Sequence, residues 1–192
     1  MNSMQAAEIE AQFSANRLRG EAMPDDLRII LHYRDELLER TGIELSYAAN
    51  WAPWLDTSYL SDADLQRSDI RANIEAMREI CEMTAFIAAH EDGNYYGYWR
   101  GPSDRRIADS PIICLDNEGQ FSFCGGYSFS VALLYQTWSD EAFLELCAWL
   151  HDIGVQGLPS SLEDLVDPTD ASPPNALRDK IYYDRLNNPV RT

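Results

Sequence analysis

Basic residues are scarce in this sequence, and one long stretch has none. Only Lys180 is a lysine among the 15 basic residues, and residues 107–177 contain neither lysine nor arginine. The same stretch carries eleven of the chain's 32 acidic residues, and the formal net charge of the whole chain is −17. Such a chain repels the phosphates of nucleic acids and anionic lipids. We therefore expect neither a nucleic-acid partner nor a membrane partner.

The usual motifs for metals and nucleotides are also missing. His32, His90 and His151 lie far apart in the sequence, and the four cysteines form no C-x-x-C pair. Zinc sites need such closely spaced ligands. The Gly125-Gly126 pair lacks the additional glycine and the lysine of a phosphate-binding loop. The sequence therefore predicts no cofactor and no metal, and cysteines that are reduced residues of the core.

Long apolar runs are absent, although 45% of the residues are hydrophobic. No segment approaches the ~20 apolar residues that a membrane span requires. The first ten residues lack the basic and hydrophobic regions of a signal peptide. We expect a cytoplasmic protein with one main domain. The predicted division is a weakly ordered N-terminal segment over 1–23, a single α+β domain over 24–154, and a proline-rich C-terminal extension packed on that domain over 155–192.

Helical patterns occupy the first part of the predicted domain. Pro24 suits the first turn of a helix, and apolar residues at helical spacing follow it until Gly42, which favours a helix end. Ser61 and Asp64 form a variant of the capping box that begins a helix. The sequence therefore predicts helices over 24–41 and 61–83, an irregular segment over 43–60, and a frayed helix from Gln5 to Arg17 within the N-terminal segment.

Strand patterns follow these helices. Asp92-Gly93 stands between two apolar alternations, which is a strong signal for a tight hairpin. The sequence predicts an antiparallel meander of four strands or more, with helices before and after it and one face of the sheet covered. Tyr95 and Trp99 fall on one face of this sheet, and Tyr96 and Tyr98 on the other. The predicted strands cover 85–90, 94–100, 111–115 and 120–124, and the helices after them begin at Ser128 and Ser139.

Several kinds of chemistry remain open at this stage. Cys114 or Cys124 could meet His90 across the sheet, but no nucleophile motif accompanies them. Two of the many carboxylates could face each other as in a glycoside hydrolase. The aromatic cluster Tyr95–Trp99 could stack on sugars or bases, or could pack on the two faces of the sheet. Packing is the simpler interpretation of aromatic residues that alternate along a hairpin.

Three motifs follow one another between Tyr95 and Leu134. They are a strand with Gly97-Tyr98-Trp99, a proline-led hairpin from Pro111 to Gly119, and a helix that opens with Ser128-Phe129. Together they resemble the SUKH superfamily, which comprises bacterial immunity proteins related to the yeast cell-wall regulators Smi and Knr, and the resemblance extends upstream to the helix that begins at Pro24. The 43–60 segment is longer than that pattern predicts, and the chain after Gly154 has no counterpart in it.

The resemblance implies a protein-binding module without catalysis, which neutralises a toxin delivered by a neighbouring cell. Many such toxins are basic nucleases, and an acidic inhibitor would gain association rate by electrostatic steering. A second hypothesis is a regulatory scaffold that binds a cellular protein through the Tyr95–Trp99 face, and a third is a carboxylate-dependent hydrolase. The predicted partner-binding residues are Asp104, Asp109, Asp116, Glu118, Asp140, Glu141, Tyr96 and Tyr98.

Overall fold

A computed structural model describes residues 3–188 of the chain. Five antiparallel strands form one sheet, and helices precede and follow it, which confirms the predicted α+β class. The helices are α1 (Ser3–Arg17), α2 (Asp25–His32), α3 (Arg34–Thr41), α4 (Asp62–Gln66), α5 (Ser68–Glu82), α6 (Phe129–Tyr135), α7 (Asp140–Asp152) and α8 (Pro174–Asn187). The strands are β1 (Ile43–Leu45), β2 (Thr84–His90), β3 (Tyr95–Trp99), β4 (Ile112–Leu115) and β5 (Phe121–Phe123).

The strands lie in the sheet in the order of the sequence, so the sheet is a simple meander. Strand β1 lies within the segment that the sequence predicted to be irregular. Its Ile43 and Leu45 point into the core, Glu44 is exposed, and Ile43 pairs with His90 of β2. Three residues are too few for a period of two to be recognised in a sequence. Its edge position therefore follows only from its pairing with β2.

Both faces of the sheet are buried, so the prediction of one covered face was wrong. Helices α1, α2, α3, α6 and α7 contribute to a main core that includes Tyr96 and Tyr98. Helices α5 and α8 pack on the opposite face, around Phe86, Trp99 and Ile113. Since large aromatic side chains alternate along β3, each face of the sheet is apolar and needs its own cover.

Two predicted helices are each divided by one residue. The helix predicted over 24–41 breaks at Tyr33 (φ −109°, ψ 22°), between α2 and α3. The helix predicted over 61–83 breaks at the extended Arg67 (φ −74°, ψ 131°), between α4 and α5. The capping box of Ser61 and Asp64 is confirmed at the start of α4. A single non-helical residue hardly disturbs helical spacing, so the apolar pattern alone does not reveal such a break.

The N-terminal segment is helical and well packed where the sequence predicted weak order. Ile9 and Phe13 of α1 are buried in the main core, and Phe13 is fully inaccessible. The Arg17 side chain is also buried, and its Nη2 donates to the carbonyl of Ala48 at 2.7 Å. Its Nη1 donates to the carbonyl of Trp51 at 2.9 Å. A buried guanidinium thus fixes the loop after β1 through backbone oxygens.

Gly97 of β3 lies opposite a β-bulge in β2, where a side chain would meet the backbone of that strand. The pairing of these strands shifts between Phe86 and Ala88, which marks a β-bulge in β2. A Cβ atom added at Gly97 would lie 2.8 Å from the Ala85 carbonyl oxygen and 2.8 Å from the Phe86 Cα. Both are backbone atoms, which cannot rotate away. This position therefore accepts no side chain without a shift of the strand.

The C-terminal extension contacts the sheet through specific hydrogen bonds. The side chain of Asn175 bonds to both backbone groups of Phe121, at 3.0 Å to its N–H and 2.7 Å to its carbonyl. Asn175 thereby satisfies part of the free edge of β5, as a neighbouring strand would. The indole of Trp99 donates to the carbonyl of Ser172 at 2.9 Å. Helix α8 and the residues before it thus cover the second face of the sheet.

Within residues 3–188, no helix combines the length and the apolar character that crossing a membrane requires.

Candidate protein-binding site

The acidic residues predicted to bind a partner do not share one surface. Asp104 and Asp109 lie in the loop that follows β3, whereas Asp116 and Glu118 lie in the turn that follows β4. Because β3 and β4 are antiparallel, this loop and this turn are at opposite ends of the sheet. The four predicted acids of the sheet loops therefore fall into two groups, one at each end of the sheet.

The acids of the β3–β4 loop are neutralised within the chain. Asp104 Oδ1 accepts from Arg100 Nε at 2.8 Å and from Arg19 Nη1 at 3.1 Å. The hydrogen bond from Arg100 lowers the pKa of Asp104. Asp109 forms a salt bridge with Arg106 at 2.7 Å. Carboxylates that already hold arginines are poor candidates for attracting a basic partner.

The two acids of the β4–β5 turn differ in role. Asp116 Oδ1 accepts from the backbone N–H of Glu118 at 2.9 Å and of Gln120 at 2.8 Å. These bonds hold the turn in shape, so Asp116 has a structural function. The Glu118 side chain is exposed, and no salt bridge to it occurs among residues 3–188.

The acids at the start of α7 are exposed, and no arginine of the described residues forms a salt bridge with them. Ser139 caps this helix by accepting from the N–H of Ala142 at 3.2 Å. Asp140 and Glu141 occupy the first turn, where they interact favourably with the helix dipole. Both are exposed, and the described part of the chain offers neither of them a salt bridge. They remain the best placed of the predicted acids.

Tyr96 and Tyr98 do not form an exposed surface, which contradicts their prediction as partner contacts. Tyr96 is 2% exposed and Tyr98 is fully buried in the main core. Burial raises the pKa of both phenols. The opposite face of β3 is also covered, because Trp99 is 1% exposed beneath the C-terminal extension. Tyr95, at the other end of the strand, is half-buried, so the face named in the scaffold hypothesis is covered at Trp99 but not at Tyr95.

A cleft that the sequence did not indicate lies beside the start of α7. It has a volume of about 390 Å³ and opens between α3, the β2–β3 turn and the α6–α7 connection. Tyr96 contributes to its wall, and Trp138 and Glu145 line it from the α6–α7 side. We call it the acidic cleft, lined by Arg40, His90, Asp92, Tyr96, Trp138 and Glu145.

Trp138 is the most unusual residue of the acidic cleft, because it is 98% exposed. Tryptophan side chains are highly buried on average, and in protein interfaces they often supply much of the binding energy. Trp138 lies two residues before Asp140, so the exposed indole stands next to the charged first turn of α7. One residue in a short connection has no periodic pattern, and a sequence does not show whether its side chain packs inward.

The charges of the acidic cleft are predominantly negative. Asp92 and Glu145 line it, and Asp140 and Glu141 lie on the same helix as Glu145. The cation Arg40 is held against Trp149, with its guanidinium carbon 5.6 Å from the ring centroid. His90 Nδ1 accepts from the N–H of Asp92 at 3.1 Å. The Asp92 carboxylate lies 3.3 Å from the His90 ring. The cleft therefore offers an aromatic ring and the exposed carboxylate of Glu145 to a cationic partner, beside the acidic first turn of α7.

The titratable side chains show how burial and hydrogen bonds alter their acidity. No group of three His, Cys, Asp or Glu residues in the described ranges could hold a metal. Among the described residues, each carboxyl with a shifted pKa has it lowered; burial raises the pKa of Glu21, but hydrogen bonds outweigh it. A general acid needs the opposite shift. The hydrogen bond between Cys114 and Cys124 lowers the pKa of the first thiol and, together with burial, raises that of the second, while burial raises the pKa of Cys81 to about 12.

Comparisons with protein-family models, with curated proteins and with solved structures found no match to this chain. Its function is therefore inferred from its own residues.

Proposed function

We propose that this chain is a non-enzymatic binding protein of the immunity type, which neutralises a basic toxin domain by occluding it in the bacterial cytoplasm. The carrying observation is the exposed Trp138 beside Glu145 in the acidic cleft and beside the exposed acids of the first turn of α7. The resemblance of residues 24–135 to the SUKH superfamily adds the toxin as the class of partner. The exposed acids of α7 favour a basic partner, because opposite charges attract each other.

Trp138 supplies the anchor of the proposed interface. Tryptophan is enriched among the residues that dominate binding energy, where it is buried in a pocket of the partner. Because Trp138 is 98% exposed, the free protein leaves nearly the whole indole available for burial. Its removal should weaken binding by about 2 kcal/mol or more, which corresponds to about thirtyfold. A lysine or arginine of the partner could also lie over the ring.

The carboxylates of α7 supply electrostatic steering of the partner and specificity for a basic one. Asp140, Glu141 and Glu145 are exposed on one helix, so they act on an approaching cation at long range. Charges at the rim of an interface mainly change the association rate and its dependence on salt. The interface should therefore combine a salt-insensitive anchor with a salt-sensitive rim.

A direct test uses the product of the gene adjacent to this one as the partner. We expect Trp138→Ala to weaken its binding by about thirtyfold or more in calorimetry and to abolish rescue of growth when both proteins are co-expressed. The free energy of unfolding should change by less than about 0.5 kcal/mol, because an exposed side chain contributes little to stability. Thermal unfolding checks that the variant is folded.

The charge component has its own test. The triple variant Asp140→Asn, Glu141→Gln, Glu145→Gln should bind more slowly at low salt and lose much of the salt dependence between about 0.05 and 0.5 M. A matched control removes three exposed acids elsewhere, with Glu8→Gln, Asp62→Asn and Glu163→Gln. Equal effects of the two triple variants would contradict the acidic cleft as the binding site. If the Trp138→Ala variant bound the toxin as tightly as the wild type does, Trp138 would not be the anchor of the interface.

A further inference from the structure

A second cleft lies on the other side of the sheet, between the loop after β1, helix α5 and the tips of the two hairpins. Its volume is about 530 Å³. One wall is aromatic and the opposite wall is polar. We call it the aromatic cleft, lined among others by Trp54, Tyr59, Arg78, Tyr95, Asp116 and Gln120. It shares none of its lining residues with the acidic cleft.

The aromatic wall is held rigidly by stacked rings. The Trp54 ring lies on Phe86, with centroids 4.1 Å apart and planes inclined by 35°. Trp51 and Tyr95 meet Trp54 edge to face, at centroid distances of 5.0 and 5.6 Å. This packing orients the Trp54 ring before any ligand arrives, which reduces the entropic cost of binding. Tyr59 is 79% exposed on the rim of the cleft, so its ring remains free to cover a ligand.

Part of the polar wall is also organised in advance. Arg178 Nη1 donates to the Gly119 carbonyl at 2.7 Å, which joins α8 to the β4–β5 turn. Asp116 holds that turn with Oδ1 alone, and its Oδ2 accepts no hydrogen bond from the residues that the structure describes. Arg78 is exposed on the cleft and makes no salt bridge within residues 3–188. The cleft therefore presents an anchored acceptor in Asp116 and an unpaired donor in Arg78.

The charges of the aromatic cleft disfavour an anionic ligand. Its lining contains two arginines, Arg78 and Arg178, and three carboxylates, Asp56, Asp116 and Glu118. Arg178 is paired with Asp179 at 2.9 Å, so the carboxylates outweigh the remaining arginine and would repel phosphates and nucleotides. A large apolar ligand would leave the polar wall without partners. The ligand should thus combine many hydroxyl groups with an apolar face.

We propose that the aromatic cleft binds a neutral oligosaccharide. The C–H face of a pyranose ring is apolar and would stack on Trp54 and under Tyr59. Its hydroxyl groups both donate and accept, so neighbouring hydroxyls would bind the Asp116 carboxylate and the Arg78 guanidinium. This binding goes beyond the proposed toxin neutralisation and does not depend on it.

The experiment uses the full chain and four probes: maltohexaose, cellohexaose, xylohexaose and chitohexaose. Saturation-transfer NMR and calorimetry should reveal saturable binding of at least one of them below about 10 mM, a weak affinity expected for a half-open site. Tyr59→Ala should weaken that binding about tenfold, because it removes one stacking ring. Tyr183→Ala is the matched control, since Tyr183 is 59% exposed on α8 outside the cleft.

Two results would overturn the proposal. The first is the absence of saturable binding for all four oligosaccharides, and the second is binding that Tyr59→Ala and Tyr183→Ala affect equally. Trp138→Ala separates this site from the acidic cleft, because it should leave oligosaccharide binding unchanged while it impairs toxin binding. Neither Tyr59 nor Tyr183 is buried, so the variants should fold and every outcome can be interpreted.

Discussion

Replacement of Gly97 with alanine should destabilise the protein by about 3 kcal/mol or more, although it adds a single methyl group. The conformational preferences of the two residues alone would predict that the substitution stabilises the protein, because glycine inside a strand costs about 0.5–1 kcal/mol relative to alanine. Steric overlap should prevail, since the added Cβ would lie 2.8 Å from two backbone atoms of β2. Removing this overlap would require β2 and β3 to move apart. Both strands have a neighbour on each side in the sheet, so such a movement would disturb the pairing of other strands.

Urea unfolding of Gly97→Ala and the wild type measures this effect. Ser122→Ala is a suitable control, because Ser122 is an exposed residue of the edge strand β5 and its loss should cost less than about 0.5 kcal/mol. A Gly97→Ala protein as stable as the wild type would mean that β2 and β3 are not so close at the bulge. The experiment therefore tests the register of β2 against β3 as well as the role of Gly97.

Replacement of Arg100 with methionine should cost about 3 kcal/mol, for an electrostatic reason. Arg100 is 5% exposed and binds Glu21 through Nη1 and Asp104 through Nε. The second oxygen of Glu21 accepts from the N–H of Ile107 at 2.9 Å. Methionine would leave the partly buried carboxylate of Glu21 without its cation. The connection between the segment after α1 and the β3–β4 loop would be weakened at the same time.

The pH dependence of unfolding identifies the cause. Partial burial raises the pKa of Glu21, but bonds from Ile107 and Arg100 outweigh it and lower the pKa from its ordinary 4.5. A lowered folded-state pKa means that Glu21 contributes stability above pH 4.5 and loses it as the pH falls through the folded-state pKa. The stability gap between the wild type and Arg100→Met should therefore narrow below pH 4.5.

A double-mutant cycle with Glu21→Gln completes this test. If the two groups act as a pair, the double variant should be more stable than the sum of the two single effects predicts. Purely additive effects, or a gap that stays constant at low pH, would assign the loss to packing around the arginine stem. Unfolding in urea at several pH values provides both measurements.

The sequence predicted the elements that depend on local chemistry. The Asp92-Gly93 hairpin, the capping box of Ser61 and Asp64, and the helix start at Ser139 are all found in the structure. Each depends on residues within a few positions of one another, so the relevant interactions can be read along the chain. The antiparallel meander follows from such short connections between adjacent strands.

The features that the sequence did not reveal depend on distant contacts. Arg17 is buried because carbonyls of residues 48–51 surround it, and nothing near Arg17 in the sequence indicates them. Trp138 would have been expected to pack inward as most tryptophans do, yet the end of α6 leaves it exposed. Asp104 also accepts a hydrogen bond from Arg19, which lies 85 residues away in the sequence. Its bond from Arg100 and the pair of Asp109 with Arg106 are local, within four residues along the chain.

The meander also determines the order in which parts of the protein can form during synthesis. Each strand pairs with the strand made just before it, so the sheet can assemble as the chain leaves the ribosome. The cover of its second face arrives late, because α8 begins at Pro174. Until then Trp99 and Phe121 lack part of their final environment. A nascent or truncated chain would therefore display a hydrophobic surface that chaperones and proteases recognise.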